Sequence, residues 1–264
     1  MNKHLLDDPR ILSILFYPRR ASAGGSRHPA AQDGTIPVDD VVLGYRLYPA
    51  PLEEAPVLLY FHGNGEIASD YDDIASLYNS RGLSLLVVDY RGYGWSSGEP
   101  RASALLSDAW AAFQAIPGLL ADAGLSANRL VVMGRSLGSA PAIEVAHRAA
   151  DQVRGLIIES GFAHTFKLLA YLGLRIEGAT EAEHGVGNLD KIAQITLPTL
   201  VIHGQNDRLI PVEEGKTLYA HSPSADKQLV LIGFAGHNNL MFVGKDLYFD
   251  AIQAFVRRAC EARL

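Results

Sequence analysis

One short sequence near the middle of the chain, GRSLG at residues 134–138, constrains the fold more than any other stretch. The apolar run LVVM at 130–133 precedes it, and a helix-compatible stretch at 137–150 follows it. This order predicts a strand, a sharp turn and a helix, with Ser136 at the apex of the turn. Such a turn holds the serine in strained backbone angles. The glycine two residues away on each side removes side chains that would collide where strand and helix cross.

A serine in this position suits nucleophilic catalysis. A hydroxyl is a weak nucleophile, so it must be lifted clear of the backbone and placed beside a base. The same turn places the N–H of Leu137 in the first turn of a helix, where it has no intrahelical acceptor and can face a developing oxyanion. We therefore expect Ser136 to be a nucleophile and Leu137 to be an oxyanion donor, if a base lies elsewhere in the chain.

Apolar runs alternate with helix-compatible stretches along most of the chain. Runs without apolar–polar alternation indicate strands covered on both faces, as in a parallel sheet with helices on each side. A stretch of β-branched and polar residues at 36–47, with Gly44 as a break, predicts an edge hairpin. The predicted strands are 57–61, 83–88, 130–133, 153–158, 199–202 and 228–232, and the predicted helices are 70–79, 103–114, 137–150 and 247–259.

These elements predict one α/β domain over residues 1–264, with a doubly wound, mostly parallel sheet of about eight strands. Residues 1–55 form an N-terminal segment with the edge strands, and no repeat or linker interrupts the series. The apolar segment 161–190 is predicted to be a short lid or pocket-wall insertion with one helix. It either lines an acyl pocket or packs on the core.

Composition limits the partners and the compartment. A formal net charge of −6 gives no basic surface for nucleic acid. The single cysteine, Cys260, cannot form an internal disulfide, so nothing argues for an oxidising compartment. The first nine residues lack the apolar run of a secretory signal, and the apolar run at 11–16 is too short to span a bilayer. We expect a cytoplasmic protein without a nucleic-acid partner or stable membrane insertion.

Polar motifs follow four of the predicted strands directly. In parallel sheets with helices on both faces, chemistry gathers at the carboxyl ends of the strands. The motifs there are HGNG at 62–65, DYRGYG at 89–94, HGQND at 203–207 and GHN at 236–238.

Together with the GRSLG turn, these motifs resemble the α/β-hydrolase superfamily over roughly residues 56–258, in order. FHGNG at 61–65, DYRGYG and GHN look most like its Bem46 and ABHD17-like branch of serine hydrolases, which includes protein depalmitoylases. The resemblance implies the α/β-hydrolase fold. It also implies that Ser136 is the nucleophile, Asp207 the acid, His237 the base and the Asn64 N–H the second oxyanion donor.

The chemistry of these residue types agrees with the resemblance. His237 would take the Ser136 proton and return it to the leaving group, while Asp207 would fix the imidazole tautomer and stabilise the imidazolium. Two alternatives remain open: Asp207 could instead cap the segment that follows it, and Glu159, at the end of the strand at 153–158, is a rival acid.

Other polar residues near these motifs are expected to be structural. His62 and His203 are expected to bond loop backbone. Arg135 is expected to support the turn through a salt bridge, with recognition of a substrate carboxylate as the alternative. The aromatic residues of the loop at 89–98 either rim a pocket or pack within a tight loop.

The sequence thus predicts a serine hydrolase without a cofactor or metal, which cleaves a carboxylic ester or thioester through an acyl-enzyme. The expected substrate is a small-molecule or acyl-chain ester. A cofactor-free peroxidase or an acyltransferase would use the same triad. A non-catalytic binding protein on this fold is the alternative from a different class.

Overall fold

The structure, a computed structural model, describes residues 5–52 and 54–261. The outer limits of the predicted domain, at residues 1 and 264, lie outside the described residues, as do the first four residues of the stretch that lacks a signal pattern.

A single eight-stranded sheet runs through the described residues in the order β1-β2-β4-β3-β5-β6-β7-β8. β1 pairs with β2 and β2 with β4 in antiparallel fashion, and every other pair is parallel. This confirms the predicted doubly wound, mostly parallel sheet. The strands are β1 (Gln32–Val38), β2 (Val41–Tyr48), β3 (Val57–Phe61), β4 (Ser84–Val88), β5 (Leu130–Arg135), β6 (Gly155–Glu159), β7 (Thr199–Gly204) and β8 (Lys227–Ile232).

Burial explains why the central strands are continuous apolar runs. Every residue of β3, β4, β5, β6 and β7 is buried, because helices cover both faces of the sheet there. β8, at the sheet edge, buries only alternate residues near its end.

The predicted edge hairpin is present as β1 and β2, but Gly44 does not break it. Gly44 lies within β2 and pairs with Thr35 of β1. A Cβ atom at Gly44 would lie 2.7 Å from the indole ring of Trp95. Glycine is therefore required there by the packing of Trp95 against the strand and not by a turn.

The helices lie on both faces of the sheet, and their bounds differ from prediction mainly at the ends. The predicted helix at 70–79 is a 3₁₀ turn (Ala68–Asp73) followed by a short α-helix. The helices are α1 (Pro9–Leu15), α2 (Ala75–Asn79), α3 (Ala102–Asp122), α4 (Ser139–Arg148), α5 (Thr165–Tyr171), α6 (Glu181–His184), α7 (Asn188–Ile192), α8 (Val212–His221), α9 (Leu240–Val243) and α10 (Lys245–Glu261).

α3 continues past its predicted end through Pro117. By length and composition alone it could cross a membrane, a test that the buried helices of globular proteins also pass. One face of α3 is buried in this fold, including Leu105, Phe113, Ile116 and Leu120. That burial explains its apolar composition.

The segment at 161–190 contains α5 and α6 and the start of α7, so its prediction of one helix was too simple. Phe162, Leu168 and Leu169 are buried in the core, while Phe166 and Leu172 are partly buried against it. Most of its apolar surface therefore packs on the domain.

The crossing of β5 and α4 is where glycine matters most. A Cβ atom at Gly134 would collide with the Gly138 carbonyl, and one at Gly138 would collide with the Phe61 carbonyl and lie 2.7 Å from that of His62. Gly138 has φ −63°, so close approach and not backbone conformation demands glycine there. The predicted reason for both glycines agrees with this packing.

We expect Gly138→Ala to lower the free energy of unfolding by about 1–3 kcal/mol, because the methyl group overpacks a contact made by main-chain atoms. Gly118→Ala is the matched control: an added Cβ meets nothing within 4 Å in α3, and we expect a gain of about 0.5–1 kcal/mol. Urea denaturation of both variants measures the difference. Equal stability of Gly138→Ala and the wild type would contradict the packing argument.

Candidate active site

Ser136 lies at the turn between β5 and α4, with its backbone in the left-handed region at φ 52°. Such a conformation costs a non-glycine residue about 1–3 kcal/mol and persists only where the surrounding structure enforces it. The Ser139 hydroxyl donates a hydrogen bond of 2.7 Å to the Ser136 carbonyl and helps to hold the turn. Ser136 is 7% exposed.

His237, in the loop after β8, contacts both other residues of the predicted triad. Its Nε2 atom lies 2.9 Å from Ser136 Oγ, and its Nδ1 atom lies 2.7 Å from Asp207 Oδ2. An ionised carboxylate only accepts hydrogen bonds, so Nδ1 carries the proton and donates it. Nε2 is then free to accept the hydroxyl proton of Ser136.

Asp207, in the loop after β7, is held from several sides. Its Oδ1 atom accepts hydrogen bonds of 2.9 Å from the N–H groups of Leu209 and Ile210. Burial alone would raise its pKa, but hydrogen bonds from His203 and His237 hold the pKa of this carboxyl well below its usual range. Asp207 therefore caps the following segment and also pairs with His237, so the two alternatives from the sequence occur together.

The rival acid, Glu159, is hydrogen-bonded to residues other than His237. It is 1% exposed, and its carboxylate accepts a hydrogen bond of 2.7 Å from the Tyr248 hydroxyl and one of 3.2 Å from Arg135 Nε. Burial raises the pKa of Glu159. These contacts leave Asp207 as the carboxylate beside the imidazole.

The turn at residues 134–138, called the elbow below, lies close to the end of β3. The two predicted oxyanion donors lie on either side of this contact. Leu137 is in the 3₁₀ turn Ser136–Gly138, where the first N–H groups lack intrahelical acceptors. Asn64 is in the loop after β3, and its side-chain oxygen accepts hydrogen bonds from the Tyr17 N–H (2.6 Å) and the Tyr93 hydroxyl (2.8 Å). These bonds fix the loop through the Asn64 side chain. Among the described residues, none accepts a hydrogen bond from the backbone N–H of Asn64.

His62 and His203 are fully buried, as their expected structural roles require. The His62 ring lies 2.8 Å from the Gly63 carbonyl and 3.2 Å from Asp89. His203 Nε2 lies 2.8 Å from the Ile210 carbonyl and also 3.4 Å from Asp207 Oδ2. His203 therefore supports the Asp207 carboxylate as well as the loop backbone. The sequence predicted only its contact with the backbone.

Arg135 is buried next to Ser136, and its guanidinium contacts the loops after β3 and β8 and the end of β6. It forms ion pairs with Glu66 (2.5 Å) and Glu159 (3.2 Å). It also donates hydrogen bonds of 2.9 Å to the His237 carbonyl and to the Asn238 side chain. The expected salt bridge is present. Sequence reasoning missed Glu66, for which the only signal was a charged residue directly after HGNG.

The aromatic loop at 89–98 packs inward. Tyr90 and Tyr93 are buried against the His62 ring, with ring centroids 4.4 and 5.5 Å away. The Tyr90 hydroxyl also donates a hydrogen bond of 2.6 Å to the His62 carbonyl. These contacts support the packed loop and not the pocket rim.

A cavity of about 530 Å³ lies at the amino ends of β3, β4 and β5, at the opposite edge of the sheet from Ser136. The chemistry of the triad is at the carboxyl ends, so this cavity does not serve it. Its lining includes Ala55, Pro56, Arg81, Leu83, Arg129 and Arg257.

Comparison with known proteins agrees with the fold. The chain matches the model of the family described as "Serine aminopeptidase, S33" over residues 53–177 and 178–241. The mouse and human proteins named "Alpha/beta hydrolase domain-containing protein 17C" are 31% identical to it over 203 residues. That alignment covers 75% of this chain but only 59% of the mouse protein and 57% of the human one, so the chain spans less than two thirds of these relatives.

Solved structures give the same architecture. An esterase of Pyrococcus furiosus has a TM-score of 0.74 at 19% identity, covering 91% of this chain and 98% of that one. Est1E of Butyrivibrio proteoclasticus, solved with ferulic acid, has a TM-score of 0.73 at 19% identity, covering 86% and 99%. At these identities the likeness shows the fold alone.

The lowered pKa of Asp207 makes its contribution to stability depend on pH. A carboxyl whose pKa is lower in the folded state stabilises the fold above its unfolded pKa of about 3.9, and this stabilisation is lost as the pH falls below that value. We expect Asp207→Asn to cost about 1 kcal/mol more free energy of unfolding at pH 6 than at pH 3.

Urea denaturation at the two pH values measures this difference. Asp226→Asn is the control, because it removes an exposed ion pair with Arg258, and we expect it to cost less than about 0.5 kcal/mol at either pH. The same cost of Asp207→Asn at both pH values would contradict an ionised, hydrogen-bonded Asp207.

Proposed function

This chain belongs to the serine aminopeptidase family of α/β-hydrolases and is most like the ABHD17-like branch; on that basis we propose that it is a serine hydrolase that cleaves a carboxylic ester or thioester through an acyl-enzyme. Hydrolase activity follows from the family. The serine nucleophile and the kind of bond cleaved are our proposal. The observation that carries it is the hydrogen-bonded chain from Ser136 Oγ through His237 to Asp207.

In the first half of the proposed reaction, Ser136 Oγ attacks the carbonyl carbon of the substrate while His237 Nε2 takes the hydroxyl proton. The carbonyl oxygen becomes an oxyanion, which the N–H groups of Leu137 and Asn64 stabilise. The bond to the leaving group then breaks, and His237 gives its proton to the departing oxygen or sulfur. Ser136 is left as an acyl ester.

In the second half, a water molecule replaces the leaving group. His237 takes a proton from the water as its oxygen attacks the acyl carbon, and the Ser136–acyl bond breaks with the proton returned to Ser136 Oγ. Asp207 stays ionised and stabilises the imidazolium in both halves. The products are a carboxylic acid and the free enzyme.

Exposed apolar side chains lie close in sequence to the acid and the base. Leu209 lies two residues from Asp207 and is 38% exposed, and Phe234 lies three residues from His237 and is 88% exposed. Phe242, in α9, is 90% exposed. Exposed apolar side chains in the loops that carry the acid and the base, and in α9, favour a substrate with an apolar part, such as an acyl chain.

Turnover of p-nitrophenyl esters from acetyl to palmitoyl tests the reaction. We expect the wild type to hydrolyse them, and Ser136→Ala to lose at least about 10³-fold in kcat because no other nucleophile occupies the elbow. Labelling by a fluorophosphonate should likewise be lost in Ser136→Ala.

Equal rates in the wild type and Ser136→Ala would contradict the proposal. Absence of both turnover and labelling in the wild type would favour a binding protein on this fold. A wild type that is labelled by the fluorophosphonate but does not hydrolyse the esters would point to the other reactions of the triad. Peroxide-dependent oxidation would then assign it to the peroxidase reaction, and acyl transfer to an alcohol to the acyltransferase reaction.

A further inference from the structure

We propose that the partly buried ion pair of Arg135 and Glu66 positions the catalytic base and the oxyanion loop relative to Ser136, and so acts on the rate of the reaction and not only on the stability of the fold. This inference rests on the proposed serine-hydrolase function. It concerns two residues that contact neither the substrate nor the reacting atoms, so both are positioning residues.

The Arg135 guanidinium joins the elbow to the loop that carries the base. Arg135 directly precedes Ser136, and its side chain is 7% exposed. One of its terminal nitrogens donates hydrogen bonds of 2.9 Å to the main-chain carbonyl of His237 and to the side chain of Asn238. A shift of this carbonyl would move the imidazole relative to Ser136 Oγ, because the carbonyl and the imidazole both belong to His237.

Glu66 joins the same guanidinium to the oxyanion loop. Its Oε1 atom pairs with Arg135 at 2.5 Å, and its Oε2 atom accepts hydrogen bonds from the Gly63 N–H (2.7 Å) and the Tyr71 hydroxyl (2.9 Å). Gly63 directly precedes Asn64, the proposed oxyanion donor. One ion pair therefore links the nucleophile turn, the base loop and the oxyanion loop.

Electrostatics keeps this pair charged. Burial alone would raise the pKa of Glu66, but the Arg135 charge and the hydrogen bonds from Gly63 and Tyr71 lower it below the usual value. Hydrogen bonds between ionised partners are shorter and stronger than neutral ones, and the guanidinium contacts Glu66, Glu159 and His237 through three different nitrogens. The pair is thus suited to holding three loops in one geometry.

A purely structural role is the competing explanation, and the chain offers a matched control for it. Arg91 and Asp108 form a second ion pair, buried on both sides, with bonds of 2.6 and 2.8 Å. Both residues are less than a tenth exposed, at 8% and 6%. This pair joins the loop after β4 to α3 and contacts none of the triad residues.

The test compares kcat, KM and the urea midpoint of both pairs, with p-nitrophenyl butyrate as substrate. Displacing reacting groups by about 1 Å can cost 10²-fold, so we expect Arg135→Met to lower kcat about 30- to 100-fold with KM within about threefold. Glu66→Gln should lower kcat about tenfold, because its amide still accepts hydrogen bonds but loses the charge.

Two further variants separate positioning from stability. The double variant Arg135→Met/Glu66→Gln should be no slower than Arg135→Met alone, since both remove the same link. Arg135→Lys should recover at least about fivefold of the lost kcat, because an ammonium can still donate to the His237 carbonyl but cannot reach all partners at once. If Arg135→Met does not fold, Arg135→Lys and Glu66→Gln decide the question.

Arg91→Met and Asp108→Asn should lower the urea midpoint while kcat stays within about threefold of the wild type. Unchanged kcat in the Arg135 and Glu66 variants would overturn the proposal, as would equal losses of kcat in the control pair.

Fluorophosphonate labelling of the wild type distinguishes failure of the positioning role from failure of the proposed function. A labelled, active wild type with unaffected Arg135 variants rejects only the positioning role, whereas a wild type that neither reacts nor turns over rejects the proposed function and the positioning role with it.

Discussion

The site depends on the close approach between the elbow and the end of β3. Glycine at 134 and 138 lets α4 lie directly against the Phe61 and His62 carbonyls, so the loop after β3 begins beside Ser136. The two N–H groups that we propose to bind the oxyanion come from the two sides of this contact, Leu137 from the elbow and Asn64 from the loop. A methyl group at Gly138 would push the two sides apart. The absence of a side chain at Gly138 therefore sets both the packing of α4 against β3 and the spacing of the two proposed oxyanion donors.

Around this contact, carboxylates at one edge of the sheet are kept in different electrostatic states by their neighbours. Asp207 accepts hydrogen bonds from two main-chain N–H groups and from His237, and its pKa is lowered. Glu159 is more deeply enclosed, shares Arg135 with Glu66, and its pKa is raised by burial. Of these two carboxylates, Asp207 is the one hydrogen-bonded to the imidazole, where its negative charge is stabilised. This hydrogen bond is the physical reason to prefer Asp207 over Glu159 as the acid.

The sequence predicted the sheet, its order of elements and the residues that meet at its carboxyl edge, because apolar runs and strand-end motifs are local signals. It left Asp207 open between capping and pairing with His237, since both use the carboxylate oxygens as acceptors, and the structure shows one carboxylate making both contacts. It took Gly44 for a break because its contact with Trp95 is long-range. It missed Glu66 for the same reason: the ion pair with Arg135 spans 69 residues, and the position of Glu66 directly after HGNG does not identify its partner. The catalytic roles of Ser136, His237 and Asp207 stay predictions.

The central claim is that the substrate's acyl group is transferred to Ser136, and peptide mass spectrometry of the quenched protein tests it most directly. The wild type would be mixed with p-nitrophenyl butyrate, quenched in acid within the first turnovers and digested to locate the added mass. The account predicts one butyryl group on the peptide that contains Ser136, absent from Ser136→Ala and discharged by water on longer incubation. To keep fast deacylation from hiding the adduct, the same measurement would be made with a fluorophosphonate, whose serine adduct is not readily hydrolysed. An active wild type with the adduct on another residue, or with no fluorophosphonate adduct on Ser136, would contradict the account.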